Sequence, residues 1–237
     1  RNLTKRSQEV IDTQEMVRQT LVLSGLEDVV VTGHLAGTSG ELFVGGWRYS
    51  KLNATQRVRF PTTGSDSKIL AIQRAWGLLA MIPEKKRGAG LNLAIRRLSF
   101  LTDRSRPEDR ILDLMIAAEA FYLTGMDRTT ELSYRLSLRA AVLKIRQGST
   151  AVVARSVYEL MRSAYDVRSK VAHGVDLDSH LAKKNLTAEA FVERLTTVIR
   201  DAIVGVLQDF AHGDIDKWPP DWEGHLFALL GQAIATE

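Results

Sequence analysis

Hydrophobic positions recur at helical spacing along most of this chain. After residue 66 the apolar residues return every three or four positions, as they do in amphipathic helices. This spacing predicts helices over 69–82, 91–101, 107–123, 130–146, 150–172 and 187–211, with a short apolar helix near the end of the chain. The helix over 130–146 is apolar around much of its circumference, so we expect it to be central. The expected fold class is all-α, a helical bundle.

The first 66 residues follow a different pattern. Residues 1–25 have the spacing of a polar amphipathic helix, whereas residues 26–60 contain three short β-prone runs separated by glycines. The polar stretch 61–67 has the composition of a linker. We therefore expect an irregular or β-containing extension over residues 1–66 and a helical domain over residues 67–237.

Composition narrows the classes of protein that fit. Apolar residues make up 45% of the chain and charged residues 25%, which are ordinary values for a globular protein. No apolar run approaches the roughly 20 residues of a membrane helix, so no membrane partner is expected. Cysteine is absent, which excludes disulfides, thiolate zinc sites and cysteine nucleophiles and favours a cytoplasmic protein. The net charge of +4 is compatible with a polyanionic partner without requiring one.

The segment YDVRSKVAHG, at 165–174, carries the most distinctive chemistry. Arg168 is a permanent cation suited to a phosphate, and His173 can exchange a proton near neutral pH. On an ideal helix the two side chains lie about 140° apart, so they can act together only if the helix ends before His173. Gly174 favours such an end. Two simpler roles stay open: Arg168 as a partner of a buried carboxylate, and His173 as a helix C-cap.

Other charged and aromatic residues have two possible roles each. Glu119 is the only charge between residues 114 and 123, and we expect a buried carboxylate paired with Arg139 or Arg168. In the second case it would orient Arg168. Lys170 contacts RNA or is simply solvated, and Tyr165 packs at an interface or stacks on a base.

Metal and cofactor signals are weak. The histidines outside residues 165–174 are scattered, with no pair at metal-binding spacing on a helix. The glycine-rich stretch 33–46 lacks the Gly-Lys-Ser/Thr of a phosphate-binding loop. We therefore expect neither a metal nor a cofactor. The two tryptophans of the segment 218–222 are expected to pin that loop onto the core, with partner binding as the alternative.

Three sequence blocks together resemble a known family. DRILDL and AAEAF within 109–121, ELSYRLSLRAA at 131–141 and YDVRSKVAHG at 165–174 are similar, in this order, to the ApeA-like branch of the HEPN superfamily. The last block contains the Arg-x4-His signature, from Arg168 to His173. The resemblance implies a compact helical bundle that is commonly dimeric, with two signature motifs facing each other. It extends over about residues 109–174 and leaves residues 1–66 unmatched.

The resemblance also implies an activity. Many HEPN proteins are metal-independent endoribonucleases, which would make Arg168 and His173 catalytic and leave 2′,3′-cyclic phosphate ends on RNA. Ser169 departs from the asparagine, aspartate or histidine that often follows the arginine in active members. Ser169, Glu119 and Tyr165 would support the site.

The family's partners and its inactive members set the remaining expectations. RNA would be the substrate, and a homodimer would form through the helix that carries Arg168 to His173. The context would be phage defence or a toxin–antitoxin pair, with a sensor or antitoxin region as a further partner. The alternative is a non-catalytic HEPN module that binds RNA, a nucleotide or a partner protein, or that serves dimerisation.

Overall fold

The computed structural model describes residues 12, 15–26, 66–125, 131–183 and 185–234. Within these ranges all regular secondary structure is helical, and no strand occurs. The predicted all-α class is confirmed. The β-prone runs predicted within 26–60 lie outside the described residues.

From residue 66 onwards the described helices follow one another along the chain with short connections. Residue 12 and residues 15–23 are the described part of a first helix, α1. The remaining helices are α2 (Asp66–Met81), α3 (Glu84–Ser99), a 3-10 turn (Phe100–Asp103), α4 (Pro107–Leu123), α5 (Leu132–Arg146), α6 (Ala151–Ala172), α7 (Leu177–Ala182), α8 (Ala188–His212) and α9 (Trp222–Ile234). Of the helices within the described ranges, none combines the length and the apolar composition needed to cross a bilayer.

Local sequence signals explain where three of these helices begin. Pro107 occupies the first turn of α4, where its missing N–H costs no hydrogen bond. The hydroxyl of Thr150 accepts a hydrogen bond from the Val153 amide at 3.4 Å, and that of Thr187 accepts one from the Ala190 amide at 3.2 Å. Both threonines satisfy amides that a helix leaves unpaired.

Two elements differ from the sequence prediction. The break expected between the helices over 69–82 and 91–101 is shorter than predicted. α2 ends at Met81 and α3 already begins at Glu84, with only Gly88 (φ 75°, ψ 162°) non-helical inside α3. A β-carbon at Gly88 would lie only 2.9 Å from the carbonyl oxygen of Trp218. The stretch 174–185, predicted to be a loop, contains α7. Its buried residues Leu177 and Leu181 give a helical repeat too short to be distinguished in the sequence.

The centre of the bundle is α4 and not α5, so the sequence prediction is wrong on this point. α4 packs against α3, α5, α6 and α8. Its residues Leu114, Met115 and Phe121 are completely buried, whereas Tyr134 of α5 is 53% exposed. Half-buried arginines interrupt α5 and place one of its sides at the surface, which explains the error.

A buried carboxylate joins α4 to the end of α3. Asp113 is 3% exposed. Its two oxygens contact Arg97 Nη1 at 3.0 Å and Arg104 Nε at 2.7 Å. Two guanidinium partners offset the cost of removing this charge from water. The α3–α4 hairpin is therefore held by ion pairs as well as by apolar packing.

The described part of the N-terminal extension belongs to the same core. Val22 and Leu23 of α1 are buried among the residues of the bundle. Arg18 forms an ion pair with Asp103, which follows α3. Because residues 27–65 lie outside the described ranges, the domain boundary at residue 66 stays a prediction.

The segment between α8 and α9 is pinned to α4, as its tryptophans predicted. Trp218 is 6% exposed and Trp222 is 8% exposed. The Trp218 ring stacks on Phe121 with a centroid distance of 4.5 Å and an angle of 14° between the planes. Stacked aromatic rings in a core stabilise the fold by more than the burial of their apolar area alone would give.

Side chains from three places also satisfy the last turn of α4. The Thr124 hydroxyl donates a hydrogen bond to the carbonyl of Ala120. Trp218 Nε1 donates to the carbonyl of Phe121 at 3.0 Å, and Arg139 Nη1 donates to the next carbonyl, that of Tyr122, at 2.6 Å. Helix carbonyls at this end have no partner within the helix itself. The end of α4 is therefore capped by residues from its own turn, from α5 and from residues 213–221 between α8 and α9, the C-terminal segment.

Candidate functional site

The end of α6 positions His173. The helix stops at Ala172, and His173 is the C-cap residue with φ −96° and ψ 10°. Gly174 has φ 74°, the left-handed conformation that glycine adopts without strain. Its amide donates to the carbonyl of Val171, and the Val175 amide donates to that of Lys170, both at 3.0 Å. This paired pattern is a Schellman cap. The predicted helix end before His173 is confirmed, and His173 is exposed.

Arg168 lies one turn before that end, on the apolar side of α6. Met161 and Ala164 of the same stripe are completely buried, whereas the Arg168 side chain is 37% exposed. Its Nε lies 3.7 Å from Glu119 Oε1, and its guanidinium carbon lies 5.9 Å from the centre of the Tyr165 ring. The carboxylate and the aromatic ring together restrict the orientation of the guanidinium and offset the free-energy cost of its partial burial.

Glu119 reaches α6 from α4. Of its two predicted partners it contacts Arg168, while Arg139 donates to the Tyr122 carbonyl and packs on Trp222. The Glu119 side chain is 28% exposed, and its Oε1 accepts no hydrogen bond from the described residues. Burial raises the pKa of Glu119 above its ordinary value, and the charge of Arg168 partly opposes this shift.

A groove of about 680 Å³ lies on the outer face of α6, and Ser133 of α5 also lines it. Two of the predicted supporting residues, Tyr165 and Ser169, line this groove. Arg155 and Arg162 line it as well, further towards the start of the helix. The groove is open along its length and contains both charged and aromatic side chains, which suits a polymeric or helical partner better than a small molecule.

Lys170 already has partners in the folded chain. Its Nζ lies 2.9 Å from Asp166 Oδ2 and 3.4 Å from His180 Nε2. The His180 side chain on α7 is 15% exposed, and its Nε2 lies 3.9 Å from the same Asp166 oxygen. Sequence reasoning missed this cluster, because His180 falls in the helix that was not predicted. A phosphate contact by Lys170 would have to compete with Asp166.

The predicted site residues thus form two groups. Arg168 lies next to both Glu119 and Tyr165, whereas His173 and Ser169 are placed by the helix end and the groove. In the described part of the chain no hydrogen bond or ion pair joins Arg168 to His173. Nor do the described residues include a group of three or more His, Asp or Glu side chains placed to hold a metal ion.

The comparisons with known proteins found no relative. No protein-family model matches the chain, and no curated protein or solved structure is significantly similar to it.

Proposed function

We propose that this chain is a metal-independent endoribonuclease of the HEPN type. It would cut RNA to leave a 2′,3′-cyclic phosphate and a 5′-hydroxyl. The observation that carries the proposal is the end of α6, where an exposed His173 follows directly on the helix that holds Arg168 against Glu119. Membership of the ApeA-like branch rests on the three sequence blocks that end at this point.

The chemistry uses a nucleophile that RNA itself provides. The 2′-oxygen attacks the adjacent phosphorus and forms a new P–O bond as the bond to the 5′-oxygen breaks. His173 takes the proton of the 2′-hydroxyl or gives one to the leaving 5′-oxygen. Arg168 stabilises the negative charge that develops on the non-bridging phosphoryl oxygens.

The neighbours of Arg168 act as positioning residues. Glu119 approaches Nε of Arg168, so the contact does not use the terminal amino groups that would bind a phosphate. Tyr165 packs near the guanidinium and also lines the groove. Ser169, in the groove, supplies a hydroxyl that can donate or accept a hydrogen bond.

The biological setting comes from the resemblance alone. The protein would act as a cytoplasmic homodimer in phage defence or in a toxin–antitoxin pair, and a sensor or antitoxin region would restrain it. The dimer would form through the helix that carries Arg168 to His173.

The test is cleavage of mixed cellular RNA in EDTA by the wild-type protein and by His173→Ala and Arg168→Ala. We expect each substitution to lower the rate by at least about 100-fold, the usual size of such catalytic contributions. His212→Ala is the matched control, because His212 also ends a helix and precedes a glycine with positive φ. It should cut at the wild-type rate.

The products and the substrate separate the possible outcomes. Cyclic phosphate ends and an uncut all-deoxy strand support the mechanism, because DNA lacks the 2′-hydroxyl. Cleavage of the all-deoxy strand contradicts it. Salt-dependent RNA binding by a wild-type protein that leaves RNA intact contradicts the nuclease and favours the non-catalytic module.

A further inference from the structure

Three titratable side chains meet where α7 packs against α6. Lys170 Nζ lies 2.9 Å from Asp166 Oδ2 and 3.4 Å from His180 Nε2. The same His180 nitrogen lies 3.9 Å from the same Asp166 oxygen. The cluster thus has one carboxylate for two side chains that can be positively charged. Lysine is charged throughout the neutral range, whereas histidine gains its charge only at the acidic end, so the net charge of the cluster depends on His180.

The arrangement in the structure is the one expected for a neutral His180. An ammonium group can only donate hydrogen bonds, so Lys170 bonds to His180 Nε2 only while that nitrogen carries no proton. The ammonium then lies between two acceptors, a carboxylate oxygen and a ring nitrogen. Both contacts hold Lys170 against the protein and make it less available to a ligand.

Protonation of His180 would change both contacts of Lys170. The ring nitrogen becomes a positively charged donor, so it repels the ammonium instead of accepting a hydrogen bond from it. Its 3.9 Å distance from Asp166 Oδ2 has to shorten by only about 1 Å for a charge-assisted hydrogen bond. The carboxylate then has His180 as its partner, and Lys170 is released.

The wider surroundings of His180 contain charges of both signs. The other charged residues on and just after α7, and on the first two turns of α8, which packs against it, are Asp176, Asp178, Lys183, Glu189, Glu193 and Arg194. Asp176 accepts a hydrogen bond from the Ser179 hydroxyl, and Arg194 donates one to Ser156 Oγ on α6 at 2.7 Å. Acidic surroundings favour a protonated ring, whereas the partial burial of His180 opposes it. We therefore expect both forms of His180 to be accessible near neutral pH.

Lys170 lies on the side of α6 that leads to His173. Residues three positions apart on a helix are neighbours, so these two side chains share a face. Arg168 lies on the apolar side of the helix, where Glu119 holds it. A strand of RNA whose scissile phosphate lies at His173 would therefore bring a neighbouring phosphate to Lys170.

We propose that Lys170, Asp166 and His180 form a phosphate subsite for RNA that becomes available when His180 is protonated. With His180 neutral, Asp166 holds Lys170. With His180 protonated, Asp166 pairs with the histidine, and the Lys170 ammonium binds a backbone phosphate. Because linkage is reciprocal, RNA bound at Lys170 also favours the protonated histidine. The inference deepens the proposed function and rests on it for the identity of the ligand.

The first experiment measures phosphate contacts from the salt dependence of RNA binding. The probe is a single strand of 2′-O-methyl RNA, which lacks the nucleophile and stays intact. Each contact adds about 0.7 to the steepness of log affinity against log salt concentration for a single strand. Between about pH 8 and about pH 6 we expect the wild-type slope to steepen by about 0.7 more than that of His180→Gln. At about 0.1 M salt this equals an extra gain in affinity of about fivefold.

Two further variants separate the roles of the other members of the cluster. Lys170→Met should bind more weakly than the wild type at the lower pH and lack the extra slope. Asp166→Asn removes the charge that holds Lys170, so it should show the steeper slope already at about pH 8. His212→Gln and Lys85→Met are the matched controls, because they change an exposed histidine and an exposed lysine elsewhere. Both should keep the wild-type difference between the two pH values.

The second experiment follows the His180 ring by NMR without RNA, with its signal assigned by its absence from His180→Gln. The midpoint of its titration should rise in Lys170→Met, which removes a neighbouring positive charge. It should fall in Asp166→Asn, which removes the negative one. Circular dichroism checks that every variant is folded. If His180→Gln loosens α7, the exposed Asp166→Asn still tests the coupling.

The outcomes distinguish the subsite from the nuclease. An unchanged His180 titration in both variants overturns the inference. So does a His180→Gln protein that gains as much slope as the wild type, or a Lys170→Met protein that binds RNA like the wild type at both pH values. A wild type that cuts RNA without these differences keeps the nuclease and loses the subsite. One that shows them all and leaves RNA intact supports the subsite and contradicts the nuclease.

Discussion

Glu119 lies in surroundings that disfavour its own charge. Its pKa is raised by burial more than it is lowered by Arg168. In the folded chain the carboxylate therefore binds a proton at a higher pH than it does in the unfolded chain. Its protonation stabilises the fold below the unfolded pKa, and this contribution is lost as the pH rises through the folded pKa.

The first prediction concerns Glu119→Gln, which keeps the shape of the side chain and removes its charge. We expect its melting temperature to equal or exceed that of the wild type at about pH 7.5 and the difference to shrink towards about pH 4.5. Thermal unfolding followed by circular dichroism across this range measures the effect. A variant that is much less stable at neutral pH would mean that attraction to Arg168 outweighs burial.

At this scale the sequence predicted the chemistry of residues better than their contacts. The isolation of Glu119 among apolar residues indicated a paired carboxylate. The choice between Arg139 and Arg168 depends on how α4 packs against α5 and α6, which spacing along one helix does not contain. The partners of Lys170 depend in the same way on α7.

Helix ends are the elements that the sequence predicted most closely. Pro107, Thr150, Thr187 and Gly174 each act through local backbone chemistry, and each marks an end within about one residue. α7 was missed because a six-residue helix depends on two tertiary contacts and not on a periodic pattern. The groove was missed because the side chains that line it are brought together only when α6 packs beside α5.

Two glycines with positive φ allow a prediction about the free energy of unfolding. A β-carbon at Gly174 would meet no atom within 4 Å, so Gly174→Ala should cost only the left-handed strain of about 1 kcal/mol. Gly88 also has positive φ, but with a ψ that only glycine adopts easily, and its β-carbon would press on the Trp218 carbonyl. Gly88→Ala should therefore cost about 2–3 kcal/mol or more.

Urea unfolding of both alanine variants measures these costs. Equal losses would mean that the contact between α3 and the C-terminal segment does not constrain Gly88. A loss at Gly174 well above that at Gly88 would contradict the role of the C-cap as a local, unstrained turn.

On the scale of the whole molecule, the C-terminal segment closes the bundle. Trp218 reaches Phe121 across 97 positions of sequence and both stacks on its ring and binds its carbonyl. Such a contact could be expected from two tryptophans in a proline-rich segment, although its partner on α4 could not. A contact between residues far apart in the chain thus stabilises the fold. The Arg168–His173 signature, by contrast, lies within one short stretch of sequence.

The stability of the whole bundle should depend on this contact. Trp218→Ala should lower the free energy of unfolding by about 3–5 kcal/mol, as expected for a large buried aromatic residue. Trp218→Phe keeps a ring and loses the hydrogen bond, and should cost less. Trp76→Ala is the control, because Trp76 is 41% exposed and should cost little. Urea unfolding that ranked Trp76→Ala as the more damaging change would contradict this account.

The three side-chain caps on the end of α4 change how that helix can open. In an isolated helix the last turn frays first, because its carbonyls gain water when they separate. Here the carbonyls of Phe121 and Tyr122 are held from outside the helix by Trp218 and Arg139. The last turn of α4 can therefore fray only when Arg139 of α5 and Trp218 of the C-terminal segment also break their hydrogen bonds to it. Local opening at this end is thereby merged with the cooperative unfolding of the molecule.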